Sequence, residues 1–206
     1  MDSFITVKHL GEFEFEDRRS IFIGYAIPIK CENDAIDFIA SVKKKYPDAR
    51  HWVYAYVLRE NSIMRFTDDS EPQGTAGMPI LDIIRKKGIT DVAVVIVRYF
   101  GGILLGTGGL VHAYSEAAIG ALNSAEVITY STYTTLSINL SYSDHGKCMM
   151  AFSECDFLVS DTEYAESVTV LGTVLSDNEA LFIERLTEIT SGRCKVDVIS
   201  KEYAYR

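Results

Sequence analysis

The sequence predicts a two-domain α+β protein on three observations. First, its 206 residues suffice for one large domain or two small ones. Second, strand-length apolar runs are interspersed throughout with segments of three-and-four apolar spacing, the mark of amphipathic helices. Third, from Thr134 the element order starts afresh as β-α-β-β-α-β over about 70 residues, the split βαβ or ferredoxin-like arrangement. The expected domains are residues 1–132 and 133–206.

Residues 13–29 read as two strands around a turn at Asp17-Arg18. Asn33 is placed to cap a helix with Ala35, Ile36, Phe38, Ile39 and Val42 on its apolar side. Lys43, Lys44 and Lys45 close that helix, where cations suit the dipole. Residues 51–58 read as a strand and 61–67 as its hairpin partner. Thr75 is placed to cap a second helix that buries Ile80, Leu81, Ile83 and Ile84 and ends at Gly88. Residues 91–98 form a continuous apolar run, the pattern of a strand buried on both faces. A third helix is expected over residues 110–122. In the second half the expected elements are a strand over 134–141, a helix over 144–155 and two strands within 157–175. A helix capped by Asp177, with Leu181, Ile183, Leu186 and Ile189 inward, and a strand over 194–205 complete it.

No apolar run approaches the roughly 20 residues a membrane span needs. Met1-Asp2-Ser3-Phe4 lacks the basic-then-apolar pattern of a signal peptide. A cytoplasmic protein with no membrane partner is therefore expected. Cys31, Cys148, Cys155 and Cys194 show neither metal-ligand spacing nor disulfide density, and read as reduced and mostly buried. The net charge of −9 works against wrapping nucleic acid by bulk electrostatics. Before Tyr133 there are 14 basic and 17 acidic residues, and after it 6 and 12, so the halves carry −3 and −6. The first half is the place to look for a phosphate contact.

Five of the nine residues from 101 to 109 are glycine, between a buried strand and a helix. Each glycine in regular structure costs roughly 0.5–1 kcal/mol relative to alanine. Such a segment needs special backbone angles or a close approach by a neighbour or ligand. A strand-to-helix turn presents unpaired N–H groups and the positive end of a helix dipole to an anion. Arg98 adds a full charge, which matters because the dipole alone supplies roughly 0.3–1 kcal/mol. No Lys-Ser or Lys-Thr pair follows the glycines, so this is not a Walker A loop, and the spacing is wrong for a dinucleotide fingerprint. No cofactor is assigned. The open readings are a tight packed connection, a phosphate or nucleic-acid contact, and a protein contact.

A second unusual segment runs from Asp68 to Pro79. Asp68, Asp69 and Glu71 place three carboxylates within four residues. They suit a divalent cation, acid–base work, partner recognition, or a turn with helix-capping acids. His51 opens a strand, and His112 lies early in the third helix beside Tyr114 and Ser115. No Gly-x-Ser-x-Gly elbow surrounds Ser115, and His9, His51, His112 and His145 lack metal-site spacing. No catalytic residue or metal ligand is assigned. The candidate binding surface comprises Arg98, Tyr99, Gly101, Gly102, Gly106, Gly108, Gly109 and His112, with His51, Asp68, Asp69, Glu71, Gly74 and Thr75.

Two blocks are recognisable. Asp68-Asp69-Ser70-Glu71-Pro72-Gln73-Gly74-Thr75-Ala76-Gly77-Met78-Pro79 resembles the D-D-G-E-P-x-G-T-A-G-x-P block of the YigZ/IMPACT family. Arg98-Tyr99-Phe100-Gly101-Gly102-Ile103-Leu104-Leu105-Gly106-Thr107-Gly108-Gly109-Leu110-Val111-His112-Ala113-Tyr114 resembles its R-Y-F-G-G-I-x-L-G-x-G-G-L-V-R-A-Y block. Ser20-Ile21-Phe22-Ile23 and His51-Trp52-Val53-Tyr54-Ala55-Tyr56 are similar to shorter blocks. The second half is similar to the C-terminal domain of bacterial members, with less motif content. The resemblance implies a first domain like the second domain of a small-subunit ribosomal protein and like domain IV of elongation factor G. It implies a ferredoxin-like C-terminal domain. It also implies a translation-associated regulatory role with RNA, the ribosome or a translation-related protein as partner. Eukaryotic relatives act on translation by binding a partner of the kinase that senses uncharged tRNA. His112 stands where the family commonly has arginine, which removes a permanent positive charge. Ser70 replaces the common glycine. Two alternatives stay open: a metal-dependent enzyme acting on a phosphorylated small molecule, and a pure protein-interaction module using Phe100, Ile103 and Leu104.

Overall fold

The computed structural model describes residues 3–205. The chain divides into two compact units, one spanning residues 4–129 and the other built from residues 130–205 with Ser3.

The first unit is a five-stranded antiparallel sheet between two helical layers. Its strands are β2 (Gly11–Asp17), β3 (Ser20–Pro28), β4 (His51–Leu58), β5 (Ile63–Thr67) and β6 (Val92–Tyr99), in the order β2-β3-β6-β4-β5. A short β1 (Phe4–Val7) precedes them. The period-two alternation of a strand explains why β6 is apolar throughout. Val92, Val94 and Ile96 enter a core shared with helices α2 (Gly77–Lys86) and α3 (Gly106–Ser124). Ala93, Val95 and Val97 enter a core on the opposite face, shared with helix α1 (Glu32–Lys45). Burying one such valine or isoleucine contributes about 1.5–3 kcal/mol.

Several helix starts differ from expectation. Cys31, not Asn33, is the N-cap of α1, and the Asp34 carboxylate accepts from the Lys30 and Cys31 N–H groups. Ile36 lies at the solvent side of α1, while Ala35, Ile39 and Val42 are buried. Helix α3 begins at Gly106, four residues before the predicted start. Packing of its later turns, with Ala113, Ala117 and Ala121 fully buried, overrides the weak helix propensity of its glycines.

The second unit contains β7 (Val127–Leu140), α4 (Tyr142–Glu154), β8 (Leu158–Tyr164), β9 (Val168–Leu175), α5 (Glu179–Thr190) and β10 (Lys195–Tyr205). The division between the units falls inside β7. The antiparallel order β10-β7-β9-β8 is the ferredoxin-like arrangement. Both helices pack on one core containing Leu136, Ile138, Phe152, Phe157, Phe182 and Leu186. Asn178, not Asp177, is the N-cap of α5, and Phe182 is buried where Leu181 is exposed. Ser141 caps α4. Buried Asp144 accepts two hydrogen bonds from Arg193, at 2.8 and 3.1 Å. Cys148 is buried, Cys155 and Cys194 are half-buried and Cys31 is exposed, so the cysteines are not mostly buried; all four are free.

Candidate functional site

The acidic loop after β5 and the glycine segment after β6 meet. The link is Glu71, whose Oε1 accepts from Arg98 Nη1 at 2.5 Å and from the Tyr114 hydroxyl at 2.8 Å. The side chains of Glu71 and Arg98 are only 4% and 5% exposed, so this is a buried charge pair. Burial, then the Glu71 carboxylate, pushes the Tyr114 hydroxyl well above the usual tyrosine range, which keeps it a donor. Arg98 Nη2 also donates to Ser20 Oγ at 3.4 Å, and its guanidinium sits 5.4 Å from the Phe22 ring and 5.6 Å from the Phe100 ring. Arg98 Nε is buried with no partner among the described residues.

The three loop carboxylates face three different tasks. Asp68 accepts from the N–H groups of Gly74, Ala76 and Gly77 at 2.8, 3.1 and 2.8 Å, and so satisfies orphan donors at the start of α2. This is the capping role expected of Thr75, whose hydroxyl instead donates to the Pro72 carbonyl at 2.6 Å. Asp69 accepts from the Trp52 N–H at 2.7 Å through its carboxylate, and from His51 Nδ1 at 2.7 Å through its backbone carbonyl. A carbonyl only accepts, so His51 carries a hydrogen on Nδ1. Its Nε2 lies 3.7 Å from Glu71 Oε1 and is an acceptor while the ring is neutral. Ser70 has φ +69, the left-handed region where the family's glycine carries no side-chain penalty.

The glycine segment divides into a turn and a helix start. Gly101 is pinned to the β2–β3 hairpin: its N–H donates to Ser20 Oγ at 3.2 Å, and a Cβ there would lie 2.1 Å from the Arg19 carbonyl. Gly102 and Gly106 have φ +82 and +74. Gly106, Gly108 and Gly109 fall in the first turn of α3, whose N-cap, Leu105, supplies no side-chain hydrogen bond.

Between the two segments lies a cavity of about 360 Å³. Its polar lining includes Arg50, His51, Glu71 and Arg98, and its apolar lining Phe100, Leu104 and Leu110. Gly106 and Thr107 bring the start of α3 to it. Two expected residues lie elsewhere. Tyr99 follows Arg98 along β6 and so packs on the opposite, α1 face. The His112 side chain is 77% exposed, stands 3.7 Å from Glu116, and borders a separate hollow with Phe13 and Ile119.

Three cations escaped the sequence reading, one lining the cavity and two on the hairpin that packs against Gly101. Arg18 donates to the Leu104 carbonyl at 3.5 Å, the Arg19 backbone packs against Gly101, and Arg50 lines the cavity. All three are exposed, and no carboxylate among the described residues lies within 4.0 Å of them. Arg98, by contrast, spends its charge on Glu71. The sequence signal was a doubled arginine at a hairpin turn, which reads as ordinary turn chemistry until the hairpin is seen against Gly101. Tyr114 was also missed as a site residue, although a buried tyrosine hydroxyl needs a partner.

Comparison with known proteins bears on this arrangement. The Impact N-terminal domain matches residues 18–122, and a domain of unknown function (DUF1949) matches residues 138–193. IMPACT family member YvyE of Bacillus subtilis is 35% identical over 206 residues, covering 100% of this chain and 94% of that protein. The chain belongs to the IMPACT family. YigZ of Escherichia coli is 31% identical over 189 residues, covering 90% of this chain and 93% of YigZ. Protein IMPACT of Rattus norvegicus is 35% identical over 94 residues, which cover 44% of this chain and 30% of that protein. A crystal structure of a hypothetical protein matches with a TM-score of 0.60 at 29% identity, over 98% of this chain and 100% of that one. Every cleft residue named above, from Arg18 to Tyr114, falls within the Impact N-terminal match. Among the described residues, no helix is long and apolar enough to cross a membrane.

Proposed function

We propose that this chain is a translation-associated regulatory protein whose N-terminal domain contacts RNA through the cleft, acting in the cytoplasm with the ribosome as the setting. The observation that carries this reading is the exposed Arg50 lining the cavity and Arg18 reaching Leu104 of that lining, both without carboxylate partners among the described residues, with Arg19 next to Arg18 on the hairpin, in a chain of net charge −9. Against such a background, a local cationic rim is the feature that attracts phosphate. Family membership supports the translation-related regulatory role in general terms. An enzymatic reading draws less support, because Asp68, Asp69 and Glu71 are each engaged within the fold.

The test is RNA binding and ribosome co-sedimentation across a salt series. Loss of three phosphate contacts is expected to flatten the slope of log K against log salt by about 2 for a single strand. The variant carrying Arg18→Ala, Arg19→Ala and Arg50→Ala should show that change with an unaltered melting point. Absence of both ribosome co-sedimentation and RNA binding at low salt would refute the reading. Arg98→Ala is the wrong probe, since it strands Glu71 in the interior.

A second reading, a protein contact, is favoured by Leu104, which is 82% exposed beside Phe100 and Ile103. It predicts a partner that survives nuclease treatment and is lost with Leu104→Asp.

A further inference from the structure

We propose that the cleft holds one unstacked nucleotide of single-stranded RNA, with its phosphate at the start of α3 and its base in the cavity. This inference rests on the RNA-contact reading above and narrows it to a class of RNA.

Gly108 is the first observation. It lies in the first turn of α3, its φ is not in the left-handed region, and a Cβ built on it meets nothing within 4 Å. Alanine would fit there and would favour the helix. Glycine there leaves the backbone of the first turn open to close approach by another molecule's backbone or phosphate. Gly102 and Gly106 also face open space, but their positive φ values already account for them.

The helix start is the second. The first N–H groups of an α-helix lack intrahelical acceptors and sit at the positive end of the dipole. In α3 the N-cap side chain satisfies none of them, and Gly106, Thr107 and Gly108 are exposed. Arg98, 4% exposed, lines the same cavity and has its Nε buried without a partner among the described residues. A phosphate held here would sit between the helix start and Arg50, with Arg18 reaching the Leu104 carbonyl beside it.

The cavity itself is the third. At about 360 Å³ it is within the range of small-ligand sites. Phe100, Leu104 and Pro72 offer apolar surface to a base face, and the His51 ring offers a polar edge beside it. A duplex keeps its bases stacked inside, so only a single strand, loop or bulge presents a base to such a hollow.

The full chain is tested by fluorescence anisotropy at low salt. The probes are a short labelled oligouridylate, the matching oligoadenylate, a labelled RNA duplex, and unlabelled uridine and adenosine monophosphates. Single strands are expected to bind at least about tenfold tighter than duplex, the scale of one base-stacking contact. Gly108→Ala is expected to weaken single-strand binding by about tenfold or more while melting no lower than wild type. Gly146→Ala serves as the control: that glycine is also helical and open, but lies in the C-terminal domain, and binding should not change. Equal or tighter duplex binding, or full binding by Gly108→Ala, would overturn the inference. So would binding of free monophosphates with no binding of oligonucleotide. If duplex or ribosome binding persists and remains sensitive to the triple arginine variant, the RNA-contact reading stands without this refinement. If neither ribosome nor any RNA binds, both fall.

Discussion

Replacing Glu71 with alanine leaves the Arg98 guanidinium in a site where its side chain is 5% exposed, with Ser20 Oγ at 3.4 Å as its one remaining side-chain hydrogen-bond partner among the described residues. It also removes the acceptor of the Tyr114 hydroxyl. Removing one member of a buried ion pair costs about 3–5 kcal/mol, because the remaining charge stays desolvated. For a protein of this size that corresponds to a fall in melting temperature of roughly 6–20 °C, at roughly 2–4 °C per kcal/mol. Trp52, the single tryptophan, is a built-in reporter, since its backbone N–H is bonded to the carboxylate of Asp69, in the same loop as Glu71. Urea and thermal unfolding followed by its fluorescence would give the cost directly. The variant carrying both Glu71→Leu and Arg98→Met removes both charges and is expected to recover at least half of the loss. A Glu71→Ala protein within about 1 kcal/mol of wild type, the scale of an exposed pair, would refute the burial argument. It would mean that water reaches the pair and that the cleft is not anchored there.

Gly101→Ala places a Cβ 2.1 Å from the Arg19 carbonyl, with backbone on both sides, so the hairpin or the turn has to move. A loss above about 2 kcal/mol is expected, read as a lower urea midpoint at unchanged m; a neutral substitution would contradict the close approach. In the C-terminal domain, hydrogen bonds from Arg193, then from Ser141, hold Asp144 down at about 2 against its ordinary 3.8. The folded pKa lies below the unfolded one, so this contribution is present above about pH 4 and is lost as pH falls toward 2. Asp144→Asn should therefore flatten the acid limb of that domain's stability over this window, followed by circular dichroism; an unchanged limb would count against the pairing.

Much of the fold was legible because it depends on local periodicity. The all-apolar run of β6 read as a strand buried on two faces, and the C-terminal β-α-β-β-α-β order came directly from alternation and spacing. The two family blocks also stood out as unusual. Their meeting did not, because the Glu71–Arg98 contact joins residues 27 apart through the sheet, which no local pattern encodes. The same limit hid the capping of α2 by Asp68, which acts from nine residues before Gly77 while Thr75 has the better local credentials. The start of α3 was placed late because glycines argue against a helix until tertiary packing is known. Tyr99 and Arg98, adjacent in sequence, were grouped as one surface, although alternation along β6 sends them to opposite faces. Arg18, Arg19 and Arg50 went unnoticed for a related reason: an unpaired cation becomes informative only when its neighbours in space are known.

The Glu71–Arg98–Tyr114 network ties the acidic loop, β6 and α3 together before any partner arrives. A binding surface already held in place has little freedom left to surrender on association, so the entropy lost falls mainly on the other molecule. For the proposed RNA partner this sets a preference by stiffness as much as by chemistry. A folded RNA that already holds one nucleotide out of its stack, in a loop or bulge, gives up less on entering the cleft than a flexible strand of the same sequence.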